Sequence, residues 1–391
     1  MIKISSFIKW CILSLLVSFF AGTTSAFFLV SLYYLSDLRN KYIWLIAFLP
    51  IAGLFTALLY QNLGKNASKG NKLIVETIQQ PTNPLLDWLM APLILFTTLI
   101  AHLFGASVGR EGTALQLSAG LSDQLTKTFN LTPSERVVLL RAAVAAGFGA
   151  VFGTPLAGAI FALEFTGNQI SFNKSISPIL ICAILANQVT LWWGINHPVY
   201  SVTQIPSLTA TSILFMLIAA FLFGITAWIF KNGLTLLNRM ASKYIPDELW
   251  RAVFGGLLIA AIIYSAELFK FIGLGIPSIL NAYSFAAFPT DFFLKLLLTI
   301  LSISVGFKGG EVTPLFFIGA TLGSMLSVYI PLPISFLAGL GMITVFGAAA
   351  RTPLSAAFLA YELFGKEYIF YAFFICLIAS FIAGKKSIYQ S

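Results

Sequence analysis

The chain has 391 residues, of which 58% are hydrophobic and 9% charged, with a mean hydropathy of +0.91. That apolar share lies far above the range of a soluble domain and indicates an integral, multi-pass membrane protein in contact with the lipid bilayer. The formal charge of +9 comes from basic residues scattered through loops. This excludes a nucleic-acid surface and fits a membrane protein with a positive excess toward the cytoplasm.

In chain order, the first apolar run covers Phe7–Leu35. It is too long for a cleaved signal peptide and lacks a small-residue cleavage site, and Lys3 and Lys9 favour a cytoplasmic N-terminus. A second span is predicted at Tyr42–Tyr60, followed by a loop carrying Lys65, Lys69 and Lys72. Shorter apolar pieces broken by Gly and Pro follow at 106–125 and 142–167, separated by the capping sequence Thr132-Pro133-Ser134-Glu135. After a span at Ser177–Trp193, a polar connection holds Pro198, Ser201, Thr203, Pro206 and Ser207. Further spans are predicted at Ser212–Phe230, Val253–Leu268 and Tyr368–Ala383, with broken pieces at 305–325 and 345–365. Such pieces read as half-helices sheltered in a bundle, because irregular backbone is not tolerated against lipid. The whole is an all-α membrane protein of roughly sixteen to eighteen helical pieces.

The sequence repeats itself. Gly109-Arg110-Glu111-Gly112-Thr113 recurs two hundred residues later as Gly309-Gly310-Glu311-Val312-Thr313. Thr154-Pro155-Leu156 with Glu164 and Gly167 recurs as Thr352-Pro353-Leu354 with Glu362 and Gly365. Gly70-Asn71-Lys72-Leu73-Ile74 is echoed by Gly273-Leu274-Gly275-Ile276-Pro277. Three landmarks in one order at nearly constant offset imply a single transport domain of two halves, about 1–200 and 205–391, with no attached regulatory domain. Short broken helices in corresponding places favour an inverted repeat, with the site at the midplane.

Ionisable groups at membrane depth are expensive and mark ion or proton pathways. Glu111 and Glu311 each precede an apolar helical run, where unpaired N–H groups and the positive dipole end attract anions. A glutamate there is either a cap or a competitor that leaves the anion site when protonated. The duplication favours the second reading, and Gly109, Gly112, Gly306, Gly309 and Gly310 permit sharp turns and close backbone approach. Glu164 and Glu362 fall late in their helices and read as structural, and Glu267 has no repeat partner and stays unassigned. Cys11, Cys182 and Cys376 lack disulfide or zinc spacing, and the lone His102 and His197 suit helix packing or interfacial positions. No metal or other cofactor is expected, and no catalytic pairing suggests an enzyme. Sequence alone therefore predicts a proton-coupled anion transporter.

These motifs resemble the CLC chloride channels and transporters. Gly109-Arg110-Glu111-Gly112-Thr113 is similar to that family's gating-glutamate motif, with Thr113 in place of the usual Pro. Gly310-Glu311-Val312-Thr313-Pro314 is similar to its second anion-binding motif, in which chloride members carry Phe at the position of Val312 and no acid at that of Glu311. Gly384-Lys385-Lys386-Ser387-Ile388-Tyr389 resembles the segment bearing the central tyrosine. The family's first anion loop, usually Gly-Ser-Gly-Ile-Pro, is replaced by Gly70-Asn71-Lys72-Leu73-Ile74, and its inner proton glutamate would fall at Phe165. Together these features resemble the bacterial fluoride/proton antiporter branch. The resemblance implies a homodimer in the cell's inner (plasma) membrane, exchanging fluoride (alternatively chloride) for protons. The alternative is a chloride/proton antiporter or chloride channel of the same superfamily. The resemblance implies Glu111 as gate, Glu311 in the proton and anion pathway, and Asn71, Gly109, Arg110, Gly112, Gly310, Val312, Thr313 and Tyr389 around the anion.

Overall fold

The computed structural model describes residues 6–64, 66–167 and 176–389. Lys3 and Lys65, counted above among the terminal and loop charges, lie outside the described residues. Among the described residues the chain forms seventeen α-helical segments, with short 3-10 turns between some of them and one isolated β-bridge. Five stretches are long and apolar enough to cross a membrane: Ser6–Lys41, Ile43–Leu63, Ala210–Tyr244, Glu248–Ser265 and Lys366–Ala383. Large apolar side chains on them, including Phe27, Phe221 and Phe381, stand exposed, as lipid-facing residues do.

Several expected boundaries move. The first span continues past Leu35 to Lys41, and the span expected to stop at Phe230 continues to Tyr244. Hydropathy marks only the bilayer-facing part, whereas good helix formers such as Leu, Lys and Arg carry a helix beyond the apolar band. The span expected from Val253 starts earlier, at Glu248, because Asp247 caps it by accepting from the Leu249 and Trp250 N–H groups at 2.8 and 3.2 Å. The Tyr42–Tyr60 span opens as a 3-10 turn, Ile43–Phe48, before the helix Leu49–Leu63.

Two compact units make up the chain, Met1–Tyr33 with Leu59–Phe96 and Glu111–His197, and Tyr34–Leu58 with Thr97–Arg110 and Pro198–Ser391. In the first unit the helix Pro133–Phe152 is central and packs against Glu111–Ser122, Pro155–Glu164 and Ile176–Trp192. Its start is fixed by the capping box read from the sequence, with Thr132 and Glu135 each satisfying the other's backbone N–H. Small residues let its neighbours close in: a Cβ on Gly147 would stand 2.7 Å from the Ala114 carbonyl oxygen. A buried ion pair secures the loop ahead of it. Arg136 donates to both carboxylate oxygens of Asp123 at 2.8 and 2.5 Å, and to the carbonyls of Pro81, Asn83 and Pro84. Asp123 also accepts from the Leu86 N–H at 2.8 Å.

In the second unit the helices Val312–Leu326 and Ile334–Ala350 are buried over almost their whole length and pack face to face. Gly319 and Gly323, four residues apart, set that contact: a Cβ at either would lie 2.1 or 2.0 Å from a carbonyl oxygen of the facing helix. This is the small-residue spacing that lets membrane helices approach backbone to backbone. One break occurs twice. Helix Pro133–Phe152 ends at left-handed Gly153 before Thr154-Pro155, and helix Ile334–Ala350 ends at left-handed Arg351 before Thr352-Pro353. In each case the proline opens the next helix, where its missing N–H is not needed.

Candidate functional site

The repeated phrases are connectors that end in helix starts. The helix Met90–Leu103 ends near Phe104, and residues 105–110, in the second unit, run on as irregular chain. There Gly109 pairs with Gly310 in an antiparallel bridge, Gly109 N–H donating to the Gly310 carbonyl at 2.6 Å and Gly310 N–H to the Gly109 carbonyl at 2.9 Å. The two phrases singled out by the repeat are therefore hydrogen-bonded to one another at corresponding glycines. None of Gly109, Gly112 and Gly310 has positive φ, and Gly109 and Gly310 make a close backbone approach in the bridge. The turn falls at Gly306 (φ +109), and Gly309 serves close approach, since a Cβ there would meet Val108 at 2.6 Å and the Gly109 carbonyl at 2.9 Å.

Each phrase then enters a helix. Glu111 is the first residue of Glu111–Ser122 and is fully buried, as are Gly112 and Thr113 behind it. Glu311 is the N-cap of Val312–Leu326, half-buried, and its side chain makes no capping hydrogen bond. The ordinary explanation of a glutamate at a helix start, a cap, thus does not account for Glu311. Val312 and Thr313 are buried in the first turn, and Arg110 is buried on the connector.

In the first unit Gly70 (φ +57) turns the chain into helix Asn71–Gln79, so Asn71 occupies its first position. Its Oδ1 accepts from Gln116 Nε2 at 3.3 Å, and Gln116 sits on the helix that Glu111 begins. Lys72 is exposed. Lys9 is bonded to Glu135, so one of the two N-terminal lysines is held in an ion pair. Phe165 is buried beside the tilted ring of Phe161, with centroids 5.2 Å apart, an apolar filling at the position where the family's inner acid would fall. Glu164 and Glu362 lie half-buried at helix ends, and Glu267 is exposed in a left-handed turn (φ +52).

Tyr389 is buried rather than lying at an interfacial edge. The terminal segment is tied to the end of helix Ile334–Ala350 by Ile388 N–H to the Ala349 carbonyl at 3.1 Å and by Ser387 Oγ to the Ala350 carbonyl at 2.8 Å. His197 packs over Gly153 at the first helix break, in keeping with a packing role. His102 does more than pack: fully buried, its Nε2 lies 3.4 Å from the Gly109 carbonyl of the bridge.

The family described as voltage gated chloride channel matches residues 52–384. The chain belongs to the voltage gated chloride channel family. A chloride/fluoride channel protein of Pseudomonas syringae pv. tomato is 40% identical to it over 389 residues, covering 98% of this chain and 86% of the relative. The crystal structure of a CLC-type fluoride/proton antiporter superposes with a TM-score of 0.94 at 32% identity, covering 99% and 98% of the two chains. A slow cyanobacterial chloride/proton antiporter, at 20% identity and TM-score 0.83 over 97% and 96%, shares the fold. The fold is thus that of a multi-pass CLC membrane protein, and the family is one of ion-conducting proteins, not enzymes.

Sequence reasoning passed over Gln116, Arg39 and Lys295. Gln116 is a polar residue in an apolar buried helix, and Lys295 is a charge inside the apolar stretch Asp291–Ser304. Both carried the signal used for the glutamates, a polar group at membrane depth, but neither stood in a repeated phrase.

Proposed function

We propose that this protein is a fluoride/proton antiporter of the inner membrane, working as a homodimer and exporting fluoride against inward proton movement. The observation that carries the reading is the pairing of Gly109 with Gly310, because each of these glycines leads by sequence into a glutamate at the start of a buried helix. A carboxylate at a helix N-terminus competes with an anion for the same N–H groups and dipole. Ionised, Glu111 holds that place; protonated, it yields it, so anion and proton movements become linked. Glu311 is an acid at the second such position and supplies a proton station where Phe165 offers none.

Fluoride is small and strongly hydrated, and must exchange its water shell for close hydrogen-bond donors. Asn71, the Thr313 hydroxyl, the Tyr389 hydroxyl and the first N–H groups of the two helices are donors of that kind. Gly112 and Val312 belong to those first turns, and Arg110 adds positive charge on the connector. Two relatives, a chloride/fluoride channel protein and a CLC-type fluoride/proton antiporter, support fluoride over chloride. The test is paired efflux of fluoride and of chloride from proteoliposomes with internal pH recorded. Fluoride efflux with opposite proton movement is expected, and Glu111→Gln and Glu311→Gln should each abolish the coupling. Chloride efflux in preference to fluoride, or undiminished coupled efflux in either variant, refutes the assignment concerned.

A further inference from the structure

Lys295 and Arg39 are buried in the second unit and, like Lys231, have no carboxylate partner among the described residues. Lys295 is fully buried on helix Asp291–Ser304, and its ammonium donates to the carbonyls of Phe271 and Gly273 at 2.9 and 2.6 Å. Arg39 is buried near the end of helix Ser6–Lys41 and donates to the His102 carbonyl at 2.9 Å and to Asn40 Oδ1 at 3.0 Å. The two converge on Gly273: a Cβ there would stand 2.7 Å from Arg39 Nη1, while the same residue's carbonyl receives Lys295. Among the described residues neither cation has a carboxylate partner. Asp291, one turn before Lys295 on the same helix, is taken by Lys270 at 2.5 Å.

The cations are tied to both repeated phrases. Lys295, Thr299 and Ser302 are spaced four and three residues apart and so line one face of their helix, all fully buried. Thr299 Oγ1 bonds Ser107 Oγ at 2.9 Å, and Ser302 Oγ accepts from the Ser107 N–H at 3.1 Å. Gly273 N–H donates to the Ala106 carbonyl at 3.1 Å. The connector to Gly109 is therefore fastened to this face. Lys295 also lies over the ring of Phe317, 5.3 Å from its centroid, on the helix that follows Glu311.

Buried charge is ordinarily paired, because desolvation penalises an isolated ion heavily. Carbonyl dipoles solvate these cations but leave their net charge, and at low dielectric that charge acts over a long range. We propose that Arg39 and Lys295 form a buried cationic pair whose counter-ion is the transported anion, so that they set anion affinity without touching the ion. This rests on the anion-transport reading above and adds to it the residues that tune affinity.

The experiment is the fluoride dependence of efflux in proteoliposomes, comparing Lys295→Met, Arg39→Gln and the charge-conserving Arg39→Lys. Each neutral variant should raise the half-saturating fluoride concentration about tenfold, equivalent to about 1.4 kcal/mol. Arg39→Lys should remain within about threefold of wild type, since its charge is kept while the bond to Asn40 is lost. Fluoride titration calorimetry should show the same order. An unchanged half-saturation in a neutral variant overturns the proposal, as does an equal shift in Arg39→Lys and Arg39→Gln, which would assign the effect to bond geometry. Arg39→Gln and Arg39→Lys decide the matter by themselves should Lys295→Met not fold. A wild-type protein carrying only chloride defeats the fluoride reading alone, and the same variants titrated with chloride then test the charge pair.

Discussion

Replacing Asn71 tests the proposal that its amide is a donor to the anion rather than a structural amide alone. Its Oδ1 accepts from Gln116 Nε2 at 3.3 Å, which orients the carboxamide and leaves Nδ2, with two N–H groups, as the end available to an anion. A hydrogen bond to a charged group contributes about 1.5–3 kcal/mol. Asn71→Ala should therefore weaken fluoride binding by roughly ten- to a hundredfold. Gln116→Met removes only the neutral bond that orients the amide, about 0.5–1.5 kcal/mol, and should weaken binding by roughly two- to tenfold.

The informative quantity is the double variant. If Gln116 acts only by orienting Asn71, the pair removes nothing that Asn71→Ala has not already removed, and its affinity should match the single variant within about 0.3–0.5 kcal/mol. Fluoride titration by calorimetry on all four proteins closes the cycle. Additive losses would show Gln116 to act independently of Asn71 and would refute the orienting argument. A wild-type affinity in Asn71→Ala would remove Asn71 from the anion site altogether.

Other expectations concern the framework that holds the site. Arg136→Leu leaves the Asp123 carboxylate buried without its cation, and should destabilise the fold by about 3–5 kcal/mol, read as lost thermal stability in detergent. Gly323→Val places side-chain atoms where a Cβ alone would be 2.0 Å from the Leu337 carbonyl oxygen, so the helices must separate. The variant should lose folded protein on size-exclusion chromatography, whereas a normal elution profile would contradict the packing described. Thr132→Ala removes one half of the capping box and should cost about 0.5–2 kcal/mol in the same thermal assay, with transport retained at lower temperature.

Much of this was legible in the sequence because the informative residues are types that membrane helices tolerate poorly. Glu111 and Glu311 announced themselves as acids in apolar surroundings, and Pro155 and Pro353 marked helix starts by their missing N–H groups. The capping box at Thr132 followed from local chemistry alone. Helix ends were less legible: nothing apolar distinguishes residues 36–41 or 231–244, yet the helices continue through them. The bridge between Gly109 and Gly310 had no local signature, since glycine spacing suggests a turn as readily as a close approach. The Asn71–Gln116 bond joins residues far apart in sequence that no repeat relates, and only the packed structure brings them together.

The repeated helix break shows why pattern and chemistry must be read separately. Gly153 and Arg351 occupy corresponding places and both adopt left-handed backbone, but only the first is a residue that does so without strain. A non-glycine residue in that conformation costs about 1–2 kcal/mol. Arg351 brings what glycine cannot, a guanidinium whose Nη1 donates to the Gly384 carbonyl at 2.8 Å, at the head of the segment that ends in Tyr389. The second break therefore also anchors the terminal strand of chain against helix Ile334–Ala350, alongside Ser387 and Ile388. The sequence repeat preserves a backbone shape at both breaks, while the strained arginine is retained at the one place where the chain beyond it must be held. The two glutamates follow the same logic: corresponding places in the repeat, with Glu111 wholly buried as the first residue of its helix and Glu311 half-buried at the N-cap position without a capping bond.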